Sequence, residues 1–164
     1  MSLYLWYGYT IKDKEVFKIN YEVVNLEEKI IVGVSAFTGN NDPEMEKIIS
    51  KLWEKLYQGR VNSAIKNKVN EYAIGLYSDY TEDQYCVTAG NEVSKAENAD
   101  LTVKTIPAGK YAKFSVHGHM QTAVANAWAQ IWQMNLDRSF TGDFEEYLSC
   151  DFESCDIDIY IALN

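Results

Sequence analysis

The hexapeptide WEKLYQ at residues 53–58 recurs as WAQIWQ at residues 128–133, 75 positions further along the chain. Both copies follow the pattern Trp-x-x-aliphatic-aromatic-Gln. A strand-like run precedes each copy, KIIVGVSAFTG at 29–39 and KYAKFSVHG at 110–118. A motif that returns in the same surroundings indicates an internal repeat, although chance similarity of two αβ units is the alternative.

Two more strand-like runs follow each hexapeptide, at 72–77 and 84–88 in the first half and at 144–149 and 156–162 in the second. The sequence therefore predicts an α+β fold. In this fold, two strand–helix–strand–strand units form an antiparallel sheet with two main helices. We further expect two hairpins, because strand-like runs flank Pro107-Ala108-Gly109 within 100–118, and Leu26-Glu27-Glu28 between 21–25 and 29–38.

Apolar residues at helical spacing predict the two helices. The stripe of the first helix is Met45, Ile48, Ile49, Leu52, Trp53 and Leu56, and that of the second is Met120, Ala123, Val124, Ala127, Trp128, Ile131 and Trp132. Asp42 is the expected cap of the first helix, with Pro43 at its first position. From spacing alone, the tryptophans on these stripes belong to the core.

The charge of the chain is negative and uneven. The 164 residues include 24 acidic and 15 basic side chains, a net charge of −9. This balance makes nucleic acid an unexpected partner, because proteins that bind duplexes usually carry a basic face. The stretch 139–164 holds seven acidic residues and no Lys or Arg. It is either a solvated face or an acidic wall that attracts cations.

Several classes of function are not expected. No apolar run approaches the length of a membrane span, so we expect no membrane partner. The three cysteines, Cys86, Cys150 and Cys155, form no disulfide or zinc pattern, which favours a reducing cytoplasm. We predict no metal and no cofactor, because the chain has two histidines and no nucleotide-binding motif.

The stretch FEEY at 144–147 offers a carboxylate beside aromatic residues. Alternation along a strand places Glu145 and Tyr147 on one face, and Phe144 and Glu146 on the other. One glutamate then points inward, where it would complement a lipophilic cation within an aromatic cavity. The alternative is that Glu145 pairs with a lysine or lies in water.

The sequence resembles the GyrI-like small-molecule-binding domains, the effector-binding domains of some bacterial transcription activators. The resemblance rests on PAGKYAKF at 107–114, the helical tryptophan pair, FEEY at 144–147 and DIDIYIAL at 156–163. It implies one such domain at 21–164, with half-repeats at about 21–91 and 100–164. Residues 1–20 are then an N-terminal extension with room for extra strands, and the chain resembles the stand-alone members that lack a DNA-binding head.

The resemblance also implies a ligand groove between the two halves. The glutamate of the F-E-x-Y segment, here Glu145, is expected to anchor the ligand. The expected aromatic lining consists of Trp53, Tyr77, Trp128 and Trp132, and Tyr147 joins them as the aromatic residue that shares the strand face of Glu145.

The expected function is the binding or sensing of a small amphipathic molecule, either hydrophobic or cationic, with binding favoured over catalysis. Two alternatives stay open. One is a hydrolase of reactive small-molecule toxins, in which Glu145 acts with Tyr77 or Tyr147. The other is a protein that binds and inhibits gyrase, or contacts a transcription regulator.

Overall fold

The computed structural model describes residues 18–149 and 151–164. The predicted N-terminal extension therefore lies almost wholly outside the described residues, as does Cys150. In chain order the elements are β1 (Glu22–Leu26), β2 (Lys29–Thr38), α1 (Met45–Tyr57), α2 (Val61–Ala64), β3 (Lys68–Ser78), β4 (Tyr85–Val93), β5 (Thr102–Ile106), β6 (Gly109–Gly118), α3 (Met120–Ile131), β7 (Asp143–Tyr147) and β8 (Cys155–Ala162).

The described strands form a single sheet in the order β1-β6-β8-β7-β3-β4-β2-β5, and all neighbours are antiparallel. The unit β2-α1-β3-β4 has its counterpart in β6-α3-β7-β8, and the two units meet where β3 pairs with β7. The α+β fold with two strand–helix–strand–strand units is therefore confirmed, and the pair of β3 and β7 marks its pseudo-twofold axis.

Both predicted hairpins are wrong. β1 pairs with β6 and not with β2, and β5 pairs with β2 and not with β6. Each short strand thus crosses to the other repeat. Leu26 faces Gly109 and Lys29 faces Ile106, so the register continues unbroken past both connections. In effect, β1 with β2 and β5 with β6 form two long bent strands, which run antiparallel to each other over residues 22–33 and 102–113.

The connection between β1 and β2 explains why no hairpin forms there. Tight hairpin turns need residues that accept positive φ, such as Asn or Gly, and Glu27-Glu28 supplies neither. The chain therefore bends without reversing. β1 and β5 lie at opposite ends of the strand order, but only two residues separate β1 from β2 and β5 from β6. The sheet therefore has to curl until its two ends approach one another.

The helices α1 and α3 cover one face of the curled sheet, where β2, β4, β6 and β8 contribute most of the apolar core. A second apolar cluster lies on the opposite face, where the strands enclose one another. Its members are fully or almost fully buried: Ile31, Ile74, Leu76, Ile106, Tyr111, Phe144, Tyr160 and Ala162. The sheet is therefore packed on both faces, and side chains of β7 alternate between the two cores.

The capping prediction for α1 is wrong, because the N-cap position is Glu44, whose side chain forms no capping hydrogen bond, and Asp42 lies in the turn before it. Asp42 accepts hydrogen bonds from the Glu44 amide (2.9 Å) and the Thr38 hydroxyl (2.9 Å). The helix begins at Met45, so Pro43 lies in the preceding turn. None of the described helices is long and apolar enough to cross a membrane.

Gly33 and Gly90 face each other in the pair of β2 and β4. A Cβ atom at Gly33 would lie 2.0 Å from the Ala89 carbonyl oxygen, and one at Gly90 would lie 2.1 Å from the Val32 carbonyl oxygen. Two backbones that approach this closely leave no space for any side chain. This glycine pair therefore allows β2 to lie against β4 under α1.

We predict that Gly33→Ala lowers the free energy of unfolding by about 3 kcal/mol, because the new methyl group collides with rigid backbone. Urea unfolding followed by circular dichroism measures the change. Gly142→Ala is the matched control, since its Cβ would meet no atom closer than 3.5 Å. Equal stability of the two variants would contradict the close approach.

Candidate functional site

A cavity of about 600 Å³ opens between α1, the start of α3 and the end of β7. Its lining is mostly apolar and aromatic, and no lining residue in the described part of the chain carries a charge. The lining residues are Ile49, Ser50, Trp53, Tyr57, Ala73, Met120, Gln121, Val124, Tyr147, Ser149 and Phe152. The volume falls within the range typical of drug-sized ligands.

One face of α1 lines this cavity. Ile49, Trp53 and Tyr57 are four residues apart, so their side chains lie above one another on the helix. Trp53 stacks on Tyr57, with ring centroids 6.2 Å apart and planes 15° apart. Tyr57 and, across the mouth, Phe152 are each nearly half exposed. The cavity thus has a wall of stacked rings and an aromatic rim.

Glu145 lies behind this wall with no exposed surface. Three neutral donors bind its carboxylate. The Trp128 indole nitrogen donates to Oε1 at 2.7 Å, the Tyr77 hydroxyl donates to Oε1 at 3.2 Å, and the Tyr147 hydroxyl donates to Oε2 at 2.6 Å. As alternation predicted, Glu145 and Tyr147 share one strand face, whereas Phe144 belongs to the opposite core.

Gly75 makes room for this carboxylate. It is the direct partner of Glu145 in the pair of β3 and β7. A Cβ atom at Gly75 would lie 3.1 Å from both Glu145 Oε2 and Trp53 Cζ2. The missing side chain therefore lets the Glu145 carboxylate and the Trp53 ring occupy the same small space beside the cavity.

The carboxylate is buried without an opposite charge in contact. Burial raises the pKa of Glu145, and the hydrogen bonds from Tyr147, Trp128 and Tyr77 lower it, so that the balance is a raised pKa. No basic side chain among residues 18–149 and 151–164 forms an ion pair with it. An ionised Glu145 is thus held by dipoles alone, and a cation would compensate it.

Asp143 shares the strand face and complete burial of Glu145 but has a different partner. The Arg138 guanidinium donates to its Oδ2 at 2.6 Å, and the Tyr80 hydroxyl donates to the same oxygen at 2.7 Å. Burial and this carboxylate raise the pKa of Tyr80. The charge of Asp143 is therefore neutralised within the protein, in contrast to that of Glu145.

The pseudo-twofold axis relates two aromatic pairs around Glu145. Trp53 meets Tyr147 edge-on (centroids 5.3 Å apart, planes at 78°), and Trp128 meets Tyr77 in the same manner (5.6 Å, 77°). Each repeat supplies one tryptophan and one tyrosine, and each pair mixes the two repeats. The Glu145 carboxylate accepts a hydrogen bond from both tyrosines, so the two halves converge on it.

The residues predicted for the site occupy three layers. Trp53 and Tyr147 line the cavity, whereas Tyr77 and Trp128 contact Glu145 but are not among the lining residues. Trp132 also lies outside the lining. It packs against Trp128 and under the Arg138 guanidinium, 4.8 Å from the Trp132 ring centroid.

Sequence reasoning missed part of the cavity wall. Ile49, Met120 and Val124 lie on the predicted apolar stripes, but they are not among the residues predicted for the site. The spacing of Ile49, Trp53 and Tyr57 was the available signal for one face, whereas nothing local distinguishes a face that meets a cavity from one that meets a core. Gly75 carried a weaker signal, since glycine within a strand indicates close approach of another group.

The comparisons with known proteins agree with this geometry. A sequence model for the family described as integron-associated effector binding protein (Cass2) matches residues 22–163. Among curated proteins, none matches this sequence. Similar solved structures include SAV2435 bound to tetraphenylphosphonium (18% identity, 89% of this chain and 94% of that chain, TM-score 0.75).

The integron cassette protein Cass2 from the mobile metagenome of Vibrio cholerae is another similar structure. It is 25% identical, with 87% of this chain and 95% of that chain covered and a TM-score of 0.67. The resemblance to effector-binding domains is confirmed by the family match, which extends over nearly all the described residues. The chain belongs to the family of integron-associated effector binding proteins.

Proposed function

We propose that this protein binds a small amphipathic cation in the cavity, with Glu145 as the anchoring charge. The observation that carries the proposal is a fully buried carboxylate that only neutral groups contact, directly behind an aromatic wall. Burying such a charge is costly, and an incoming cation lowers this cost. A neutral ligand would gain only from the apolar lining.

The aromatic wall supports the same ligand class. Trp53 and Tyr147 line the cavity between α1 and α3, and the Tyr147 hydroxyl donates to the Glu145 carboxylate. A cation over these rings gains cation–π attraction. For charges about 6 Å apart at an effective dielectric constant of about 20, the attraction to the carboxylate adds about 3 kcal/mol.

The lipophilic cation bound in a structure of the same fold supplies the probe. SAV2435, which shares the fold, has been solved with tetraphenylphosphonium, a cation with four phenyl rings and no hydrogen-bond donor. Such a ligand is recognised by shape, apolar contact and charge alone. These are the properties that the cavity offers, because its lining is apolar and its charge lies one layer behind.

The alternative functions gain less support. For a hydrolase, Glu145 would have to position water, but it has no exposed surface and is not among the residues that line the cavity. No described feature favours a gyrase or regulator partner over a small ligand. A cytoplasmic location stays a prediction from the sequence.

The sharpest test compares two ions of nearly the same shape and opposite charge. We expect the protein to bind tetraphenylphosphonium at least tenfold more tightly than tetraphenylborate. Glu145→Gln should weaken the phosphonium complex by about tenfold to a hundredfold, because the charge is lost and the side-chain shape is kept. Isothermal titration calorimetry measures both affinities for both proteins.

Glu54→Gln is the control for this test, since it removes the same charge from an exposed position on α1. It should leave both affinities within about twofold, as expected for a screened surface charge. If wild type binds the two ions equally well, the proposal of a cation site is wrong.

A second prediction separates the cavity wall from the layer behind it. Trp53→Leu should weaken tetraphenylphosphonium binding about tenfold or more, because it removes an aromatic face that lines the cavity. Trp132→Leu should change the affinity less than threefold, since Trp132 packs on Trp128 and Arg138 outside the lining. A larger loss in Trp132→Leu than in Trp53→Leu would place the ligand elsewhere.

The raised pKa of Glu145 predicts a dependence of stability on pH. Since the folded protein holds this proton more tightly than the unfolded chain, wild type loses stability relative to Glu145→Gln as the pH rises through the raised pKa. Below the ordinary glutamate pKa, side chain 145 is neutral in both proteins and the difference becomes constant. Urea unfolding between about pH 4 and pH 8 tests this window. A difference between wild type and Glu145→Gln that does not vary with pH would contradict the prediction.

A further inference from the structure

The pseudo-twofold axis gives the fold two crevices, and the cavity described above occupies one of them. The open crevice lies beside Tyr147 and Met120. Tyr77 holds the position of Tyr147 in the first repeat, since each tyrosine meets the tryptophan of the opposite helix. Met45 holds the position of Met120, because α1 begins at Met45 and α3 begins at Met120.

The ring of Tyr85 fills the crevice beside Tyr77 and Met45. Its hydroxyl lies 3.3 Å from Met45 Sδ and donates to Asn40 Oδ1 at 3.1 Å. Its ring packs edge-on against the Tyr77 ring, with centroids 5.8 Å apart. Tyr85 is 7% exposed, and the Tyr80 ring lies against its other side at 6.0 Å. The space that is a cavity in one repeat is therefore occupied in the other.

Cys155 occupies the position of Tyr85 in the second repeat. Tyr85 is the first residue of β4 and Cys155 is the first residue of β8, and both belong to the core under the helices. Cys155 is fully buried, and its thiol contacts the carbonyl oxygen of Ser149 at 3.2 Å, next to the cavity. A thiol is too short to extend between Tyr147 and Met120 as Tyr85 extends between their counterparts.

We infer that Cys155 opens the binding cavity and that Tyr85 closes a second, symmetry-related site, so the chain binds one ligand where its fold provides two crevices. This inference rests on the proposed function, because that proposal identifies the open cavity as the ligand site. The closed crevice is walled by Met45, Tyr77 and Trp128, which contact Tyr85 or one another.

Two reciprocal variants test the inference. Tyr85→Cys should create a second cavity, seen as a new xenon position between Met45 and Tyr77 in crystals under xenon pressure, because dry apolar cavities bind xenon. Cys155→Tyr should project a ring into the existing cavity beside Tyr147 and Met120 and displace xenon from that position. It should also weaken tetraphenylphosphonium binding by at least a hundredfold, since the ligand and the new ring would occupy the same space.

Tyr85→Phe and Cys155→Ser are the matched controls, because they keep the ring and the small side chain respectively. Each should retain the wild-type pattern of one xenon site. If Cys155→Tyr does not fold, the result for Tyr85→Cys decides. The inference is overturned if Tyr85→Cys gains no xenon position, or if folded Cys155→Tyr keeps its xenon and its phosphonium affinity. Xenon carries no charge, so this readout stands even if wild type shows no preference for cations.

Discussion

A buried carboxylate without a counter-charge constrains this whole structure. Removing an ion from water costs several kcal/mol, and here the compensation consists of three hydrogen bonds from neutral groups. Tyr77, Trp128 and Tyr147 come from β3, α3 and β7, so both repeats must be assembled before all three donors are in place. Glu145 is stable in its position only when the two halves have come together.

The neighbouring carboxylate shows that burial alone does not make a binding site. Asp143 and Glu145 share a strand face and are both inaccessible, yet the guanidinium of Arg138 satisfies one of them permanently. Asp143 and Glu145 are therefore only two positions apart on β7, but Asp143 forms a structural ion pair and Glu145 has no charged partner. The acidic stretch seen in the sequence thus contains neither a uniform solvated face nor a uniform acidic wall.

The sequence predicted what depends on local pattern. The recurring tryptophan motif indicated the duplication, and strand alternation predicted the face of Glu145. The pairing of β1 and β5 was not predictable in this way, because local propensity locates strands but does not choose their partners. The role of each tryptophan was also not predictable from its local sequence. Trp53 and Trp132 lie on similar apolar stripes, and only distant residues such as Gly75 decide which ring meets open space.

The exchange of β1 and β5 between the repeats bears on how such a protein could have arisen. A single repeat on its own would leave its short strand (β1 or β5) without the strand that it pairs with. Its central strand (β3 or β7) would also lose a neighbour. Two identical half-length chains, however, could satisfy each other through the same exchange, as isologous dimers do. The architecture is thus that of a domain-swapped homodimer fused into one polypeptide. In a single polypeptide the two copies can carry different residues at equivalent positions, which the identical subunits of a dimer encoded by one gene cannot.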